Sequence, residues 1–164
     1  MAALFKAWLL IGFVLAAGPP LFWAAVWRPA ASGEGEDVDA IARRLRRLAV
    51  AGGLVYGAAS VGDAARAALA VAGWEDLFRF FSATTLGRVA LGRAAVAALY
   101  TAWLTRPSTW DGRTGGTVLR TIGAALGALL LAVGVSLSSH AAASTAGPFP
   151  LVMDAVHVLA AGLW

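Results

Sequence analysis

Apolar runs of membrane-spanning length recur along the chain and are separated by short polar or charged connections. Their approximate bounds are Leu4–Trp27, Leu48–Ala72, Thr84–Leu104, Thr121–Ser139 and Leu151–Trp164. A helix needs ~20 apolar residues to cross a bilayer, and backbone groups inside a bilayer are satisfied within a helix. The sequence therefore predicts an all-α fold, a polytopic transmembrane helix bundle with four full spans plus the start of a fifth.

The fifth run is shorter than the others. It covers about 14 residues, or roughly 21 Å of helix, against the ~30 Å of a bilayer core. We therefore expect one transmembrane domain over residues 1–164, with the protein continuing beyond Trp164.

The first run has two interpretations. Lys6 and Ala16-Ala17 fit the charged start and the cleavage region of a secretory signal peptide. We favour a span, because Leu21–Trp27 extends the run to spanning length. Pro19 and Pro20 predict a kink, which neighbouring helices tolerate in a membrane.

Composition narrows the function classes. Apolar residues make up 60% of the 164 residues and charged residues 13%, which is too little polar surface for a water-soluble domain. The absence of cysteine excludes disulfides and thiolate chemistry, so any soft-metal site uses His and Met. No hydrolase or phosphate-binding motif is present, and no aromatic-interleaved basic patch favours nucleic acid. We expect a non-enzymatic protein whose surroundings are membrane lipid.

The arginines predict orientation. The connections at 28–47 and 106–120 hold most of them, whereas 140–150 carries no charge. By the positive-inside rule the two basic connections are cytoplasmic. The N-terminus is then extracytoplasmic, and the expected location is a bacterial inner membrane.

Two histidines carry the candidate site. His140 follows the fourth run and His157 lies inside the fifth. A short turn joins these helices, so they are antiparallel neighbours with both histidines at the same membrane face. Met153 and Asp154 precede His157 by one helical turn. Imidazole with thioether suits Cu(I), and imidazole with carboxylate suits Cu(II). The alternatives are packing for Met153, a helix-start carboxylate for Asp154 and an interfacial position for His140.

Four ionisable side chains lie inside the second and third runs and need partners in a membrane. Asp63 pairs either with Arg93 or with Arg66, one turn along its own helix. Arg88 and Arg93 repel a cation unless they are neutralised. We expect structural pairing, the alternative being a role in moving a cation or proton.

Three segments resemble one known family. Thr85-Leu86-Gly87-Arg88 with Arg93 is similar to the T-x-x-G-R…R start of a helix in the CopD copper-resistance proteins. Ser136–Ala141 resembles the S-x-S-G-H-A end of that family's next helix, with Ser139 where glycine is usual. Asp154–Trp164 resembles its D-x-x-H-x-x-A-x-x-x-W segment, without the W-x-G-G that usually follows. The similarity is strongest over 84–164.

The resemblance implies a multi-pass inner-membrane protein that handles copper, together with periplasmic copper-binding partners. It makes His140 and His157 the expected copper contacts, with Met153 and Asp154 as helpers. Two other classes stay open: a haem-binding electron-transfer subunit, in which the two histidines are axial ligands, and a structural membrane protein without a cofactor.

Overall fold

The computed structural model describes residues 2–27, 36–71, 73–110, 117–137 and 148–163. Of these residues 94% are helical and none lies in a strand, which confirms the predicted all-α class. The helices are α1 (Ala2–Phe22), α2 (Glu36–Val71), α3 (Leu77–Ala83), α4 (Thr85–Thr105), α5 (Pro107–Trp110), α6 (Thr117–Ser136) and α7 (Phe149–Leu163).

Four long helices form a closed ring. Helix α1 packs against α2, α2 against α4, α4 against α6, and α6 against α1. Successive members are antiparallel: Phe5 lies beside Gly62, and Ala16 lies beside Gly52. Helices α2 and α6 are therefore diagonal across the bundle, and α7 packs outside the ring on α1 and α6. We call the two ends of the bundle the Lys6 end and the Trp110 end.

Three helices are long and apolar enough to cross a membrane: Ala3–Trp27, Val38–Val71 and Val118–Ser136. The expectation of four full spans is not met by this criterion. The third predicted run does form a helix, α4, of 21 residues, but Arg88 and Arg93 lower its mean hydropathy. Within the described residues α7 is an apolar helix of 15 residues, about 22 Å long.

The basic connection predicted over 28–47 is partly helical, which corrects that prediction. Helix α2 begins at Glu36 and continues for 36 residues, or about 54 Å. Arginine is a good helix former, and Ala42 on the opposite side of this stretch is buried against the bundle. One side of the α2 extension therefore packs against the bundle, and the other side exposes its arginines.

The two prolines of the first run lie inside α1, and the helix continues past them into a π-helical segment, Trp23–Trp27. Proline lacks the N–H of a regular helical turn, and wider i→i+5 turns occur where the regular ladder is interrupted. This segment brings Trp23 to Trp110 of α5, with ring centroids 6.3 Å apart. This ring contact joins the π-helical segment to α5 at the Trp110 end of the bundle.

The bundle interior is rich in small side chains, and many large apolar side chains face outwards. The buried residues include Ala16, Ala49, Ala97 and Ala128, all at 1% exposure or less. Outward-facing residues include many leucines such as Leu99, which is 74% exposed. Small residues at helix contacts and large apolar residues facing outwards are typical of membrane helices. The packing thus supports a membrane surrounding.

Helices α1 and α2 meet backbone to backbone. A methyl group at Gly12 would fall 2.8 Å from the Cα of Tyr56, and one at Gly52 would fall 2.6 Å from the Cβ of Leu15. These distances leave no space for a side chain at either glycine. The close approach fixes the crossing of the two helices, and thereby the position of Lys6 and Phe13 at the candidate site.

Candidate functional site

Asp154 and His157 line one cavity at the Lys6 end of the bundle. The cavity has a volume of about 450 Å³ and lies between α1, α6 and α7. Lys6 also lines it, and the rest of the wall is apolar: Leu9, Leu10, Phe13, Val14, Val135, Val158 and Ala161. A largely apolar cavity of this size with a few polar groups has the dimensions of a ligand site.

Helix α7 presents the two candidate ligands from one side. Asp154 and His157 are three residues apart and therefore share a helical face, and Val158 of the same face is buried against the bundle. The Asp154 side chain is half-buried and the His157 side chain is exposed to the cavity. Both predicted ligands therefore border the same cavity.

The other two predicted metal ligands are placed differently. Met153 is 50% exposed and is not part of the cavity wall. His140 lies outside the described residues, in the connection between α6 and α7. Within the described ranges, no three or more His, Asp or Glu side chains come together as a metal-ligand group. The structure therefore brings together one imidazole and one carboxylate of the predicted set.

Lys6 is the cavity residue that sequence reasoning missed. Its charge was explained as the basic start of a signal peptide, the alternative considered for the first run. The signal that would have found it is a lone ammonium inside an apolar helix, since ionisable residues in membrane segments usually serve a function. Its proximity to α7 depends on the packing of α1, which residue spacing does not reveal.

Lys6 also lines a second, much smaller void deeper in the bundle. This void of about 10 Å³ is bounded by Phe5, Lys6, Leu9, Ala59, Ser60, Asp63 and Arg93. A polar space of that size holds about one water molecule. Lys6 is thus shared by the outer cavity and by the buried charged groups of α2 and α4.

Two of the four ionisable residues predicted to lie inside the membrane, Asp63 and Arg93, border this void. Arg66 donates from Nε and Nη2 to Oδ1 of Asp63, at 3.3 and 3.1 Å, so the one-turn alternative is the pairing present. Arg93 is 5% exposed and donates from Nη1 to the carbonyl oxygen of Gly134 on α6, at 3.4 Å. Arg88 has an exposed side chain on the surface of α4. Of these four residues, Arg93 links two helices, α4 and α6, whereas Asp63 and Arg66 pair within α2.

Tyr56 reinforces the same region from the bundle centre. Its hydroxyl donates to the carbonyl oxygen of Leu131 at 2.9 Å, and Ser60 donates to the carbonyl oxygen of Tyr56 at 2.8 Å. A methyl group at Gly134 would fall 3.0 Å from the Arg93 side chain. The Tyr56 hydroxyl is nearer still, so glycine at this position makes room for both Tyr56 and Arg93 against α6.

The fold and the cavity define an all-helical bundle with apolar helices of membrane-spanning length and, at one end, a largely apolar cavity that contains three ionisable side chains. Comparison with protein-family models, curated proteins and solved structures finds no match to the chain. The likeness to the CopD family therefore rests on the three sequence segments alone.

Proposed function

We propose that the chain belongs to a copper-handling membrane protein of the CopD type, which binds copper at the cavity between α1, α6 and α7. The observation that carries this proposal is the position of Asp154 and His157 on one face of α7, lining the same cavity. Helix α6 ends beside this cavity and leads towards His140.

The donor set favours a transition metal over Mg²⁺ or Ca²⁺, and the CopD resemblance selects copper among the transition metals. Imidazole with carboxylate suits Cu(II), whereas oxygen-only sites suit Mg²⁺ and Ca²⁺. The His157 side chain is exposed and lines the cavity, so its imidazole is accessible to an ion. Asp154 supplies negative charge in an apolar wall, where a charge acts more strongly than in water. His140 would complete the set from the neighbouring connection, and Met153 adds a thioether one turn away.

The ammonium of Lys6 opposes a second cation in the same cavity. Like charges in a medium of low dielectric constant repel strongly. Copper therefore binds with the Lys6 side chain turned away from Asp154 and His157, towards Asp63 or towards the membrane surface. A lysine at the end of a membrane helix reaches the interface readily.

The proposed topology places four helices, α1, α2, α4 and α6, across an inner membrane. Helix α4 has the length of a span and is shielded on both sides by α2 and α6, so Arg93 faces protein. The arginines of the α2 extension lie at the Trp110 end, which the positive-inside rule makes cytoplasmic. The Lys6 end, with its cavity, then faces the extracytoplasmic side and any periplasmic copper-binding partner.

Copper titration of the purified protein in detergent tests the proposal. We expect His157→Ala and His140→Ala each to lower copper affinity by roughly tenfold or more, since even a supporting residue of a metal site contributes about 10–100-fold. The control is Val156→Ala, an exposed neighbour on α7 that does not line the cavity, and it keeps wild-type affinity.

Two outcomes contradict the proposal. Equal copper affinity in the wild type and both histidine variants removes the site assignment. A Soret band in the absorption spectrum of the purified protein, lost in the histidine variants, assigns the histidines to haem.

A further inference from the structure

Four arginines cluster on the part of α2 that precedes its apolar run. Arg43, Arg44 and Arg47 are exposed and Arg46 is partly exposed. At 100° per residue, the four arginine positions fall within an arc of about 160° around the helix axis. They thus form one basic face, which we call the arginine face of α2.

The opposite side of the same stretch is fixed to the bundle. Ala42 and Ala49 are buried, and Ile41 and Leu45 pack against the core. The stretch therefore cannot rotate its arginines towards the protein interior. Asp39 is exposed on the same side as the arginines, one turn before Arg43. Over residues 38–47, four arginines thus stand against one carboxylate.

The arginine face lies at the level of a tryptophan cluster. Trp23 and Trp110 are in ring contact, and Trp27, Ile41 and Leu45 join the same core. Tryptophan is enriched at the headgroup level of membranes. Arg106, which follows α4 at this end of the bundle, is also exposed. In the proposed topology this end of the bundle is the cytoplasmic membrane surface, where exposed guanidinium groups meet lipid headgroups.

We propose that the arginine face of α2 binds the phosphate groups of anionic phospholipids, such as phosphatidylglycerol, at the Trp110 end. Guanidinium matches a phosphate with two parallel hydrogen bonds, and basic residues beside a membrane attract anionic lipid. This inference does not depend on copper binding, because the arginine face and the cavity lie at opposite ends of the bundle.

Tryptophan quenching by brominated lipids tests the inference on the whole chain in bilayers of phosphatidylcholine. We expect brominated phosphatidylglycerol to bind more tightly than brominated phosphatidylcholine. The preference falls by roughly fivefold or more in Arg43→Gln/Arg47→Gln, since each basic residue near an anionic surface contributes about fivefold. The matched control, Arg79→Gln/Arg88→Gln, removes two exposed arginines near the Lys6 end and keeps the preference.

Three results overturn the inference: equal binding of the two lipids by the wild type, an unchanged preference in Arg43→Gln/Arg47→Gln, or an equal loss in the control. Inorganic phosphate at constant ionic strength distinguishes the source of the ligand. If it displaces brominated phosphatidylglycerol, the face binds a soluble phosphate compound and the lipid assignment is wrong. Far-UV circular dichroism confirms that both double variants remain helical.

Discussion

The hydroxyl of Tyr56 reaches across the bundle and donates to the carbonyl oxygen of Leu131 on the diagonally opposite helix, at 2.9 Å. Both residues are fully buried. A hydrogen bond between diagonal helices passes through the bundle centre, so it fixes the distance between α2 and α6, which are otherwise held through α1 and α4. The neighbouring Arg93 contacts the same stretch of α6.

Removing this hydroxyl should loosen the diagonal contact. We expect Tyr56→Phe to lower the free energy of unfolding in detergent by about 0.5–1.5 kcal/mol, the usual net value of a buried hydrogen bond. The control is Tyr100→Phe, since the Tyr100 hydroxyl makes a longer bond of 3.4 Å to Ala124. Thermal unfolding followed by circular dichroism should show the larger decrease for Tyr56→Phe, and the reverse order would contradict this role.

Replacing glycine by alanine should have opposite effects on stability at two positions of the four-helix ring. Gly12→Ala places a methyl group 2.8 Å from the Cα of Tyr56 and should cost about 1–3 kcal/mol, as over-packing usually does. Gly92 has open space around it, so Gly92→Ala should stabilise α4 by about 0.5–1 kcal/mol through helix propensity. Unfolding midpoints of the two variants measure the difference, and a midpoint of Gly12→Ala equal to or above that of the wild type would refute the close crossing.

The pair formed by Asp63 and Arg66 should show energetic coupling. Asp63→Asn leaves two guanidinium groups, of Arg66 and Arg93, near a neutral side chain, and should destabilise the bundle more than Asp63→Asn/Arg66→Gln does. A double-mutant cycle on unfolding free energies should give about 0.5–3 kcal/mol of coupling, the range for residues in contact. Additive effects of the two substitutions would mean that the 3.1 Å ion pair contributes nothing to stability.

The charge of Lys6 should oppose cation binding at the cavity. If copper binds beside Asp154 and His157, Lys6→Gln should raise copper affinity on the order of tenfold, which corresponds to ~1.4 kcal/mol. Lys6→Arg keeps the charge and should keep the wild-type affinity. Equal affinities in all three proteins would show that the ammonium does not face the ion, even where the histidine variants establish copper binding.

Much of the helix pattern follows from hydropathy alone. The third run was predicted at Thr84–Leu104 and the helix is Thr85–Thr105, because apolar length and the threonine cap both act locally. Thr84 caps this helix by accepting a hydrogen bond from the N–H of Gly87 at 3.0 Å. The start of α2 was missed because a run of arginines is polar by composition, although its helix propensity and its buried Ala42 favour continuation of the helix.

The candidate site was predictable only in part. The spacing of Asp154 and His157 follows from helix periodicity, so their common face could be read from the sequence. The cavity wall could not be read from the sequence. Lys6, Leu10 and Val14 line it because α1 packs beside α7, and residue spacing within one helix does not reveal which helices are neighbours. The choice of Arg66 over Arg93 as partner of Asp63 depends on side-chain geometry and was left open for the same reason.

The glycine crossing of α1 and α2 bears on the order in which the bundle is made. These helices are consecutive in the chain and need no later segment for their backbone contact, so we expect them to pair before α4 and α6 join the bundle. Helix α4 would then pack on a surface of α2 that already presents Ser60 and Asp63 beside the position of Arg93. On this expectation, the first two helices of the chain supply the polar surroundings of Arg93 before its own helix packs.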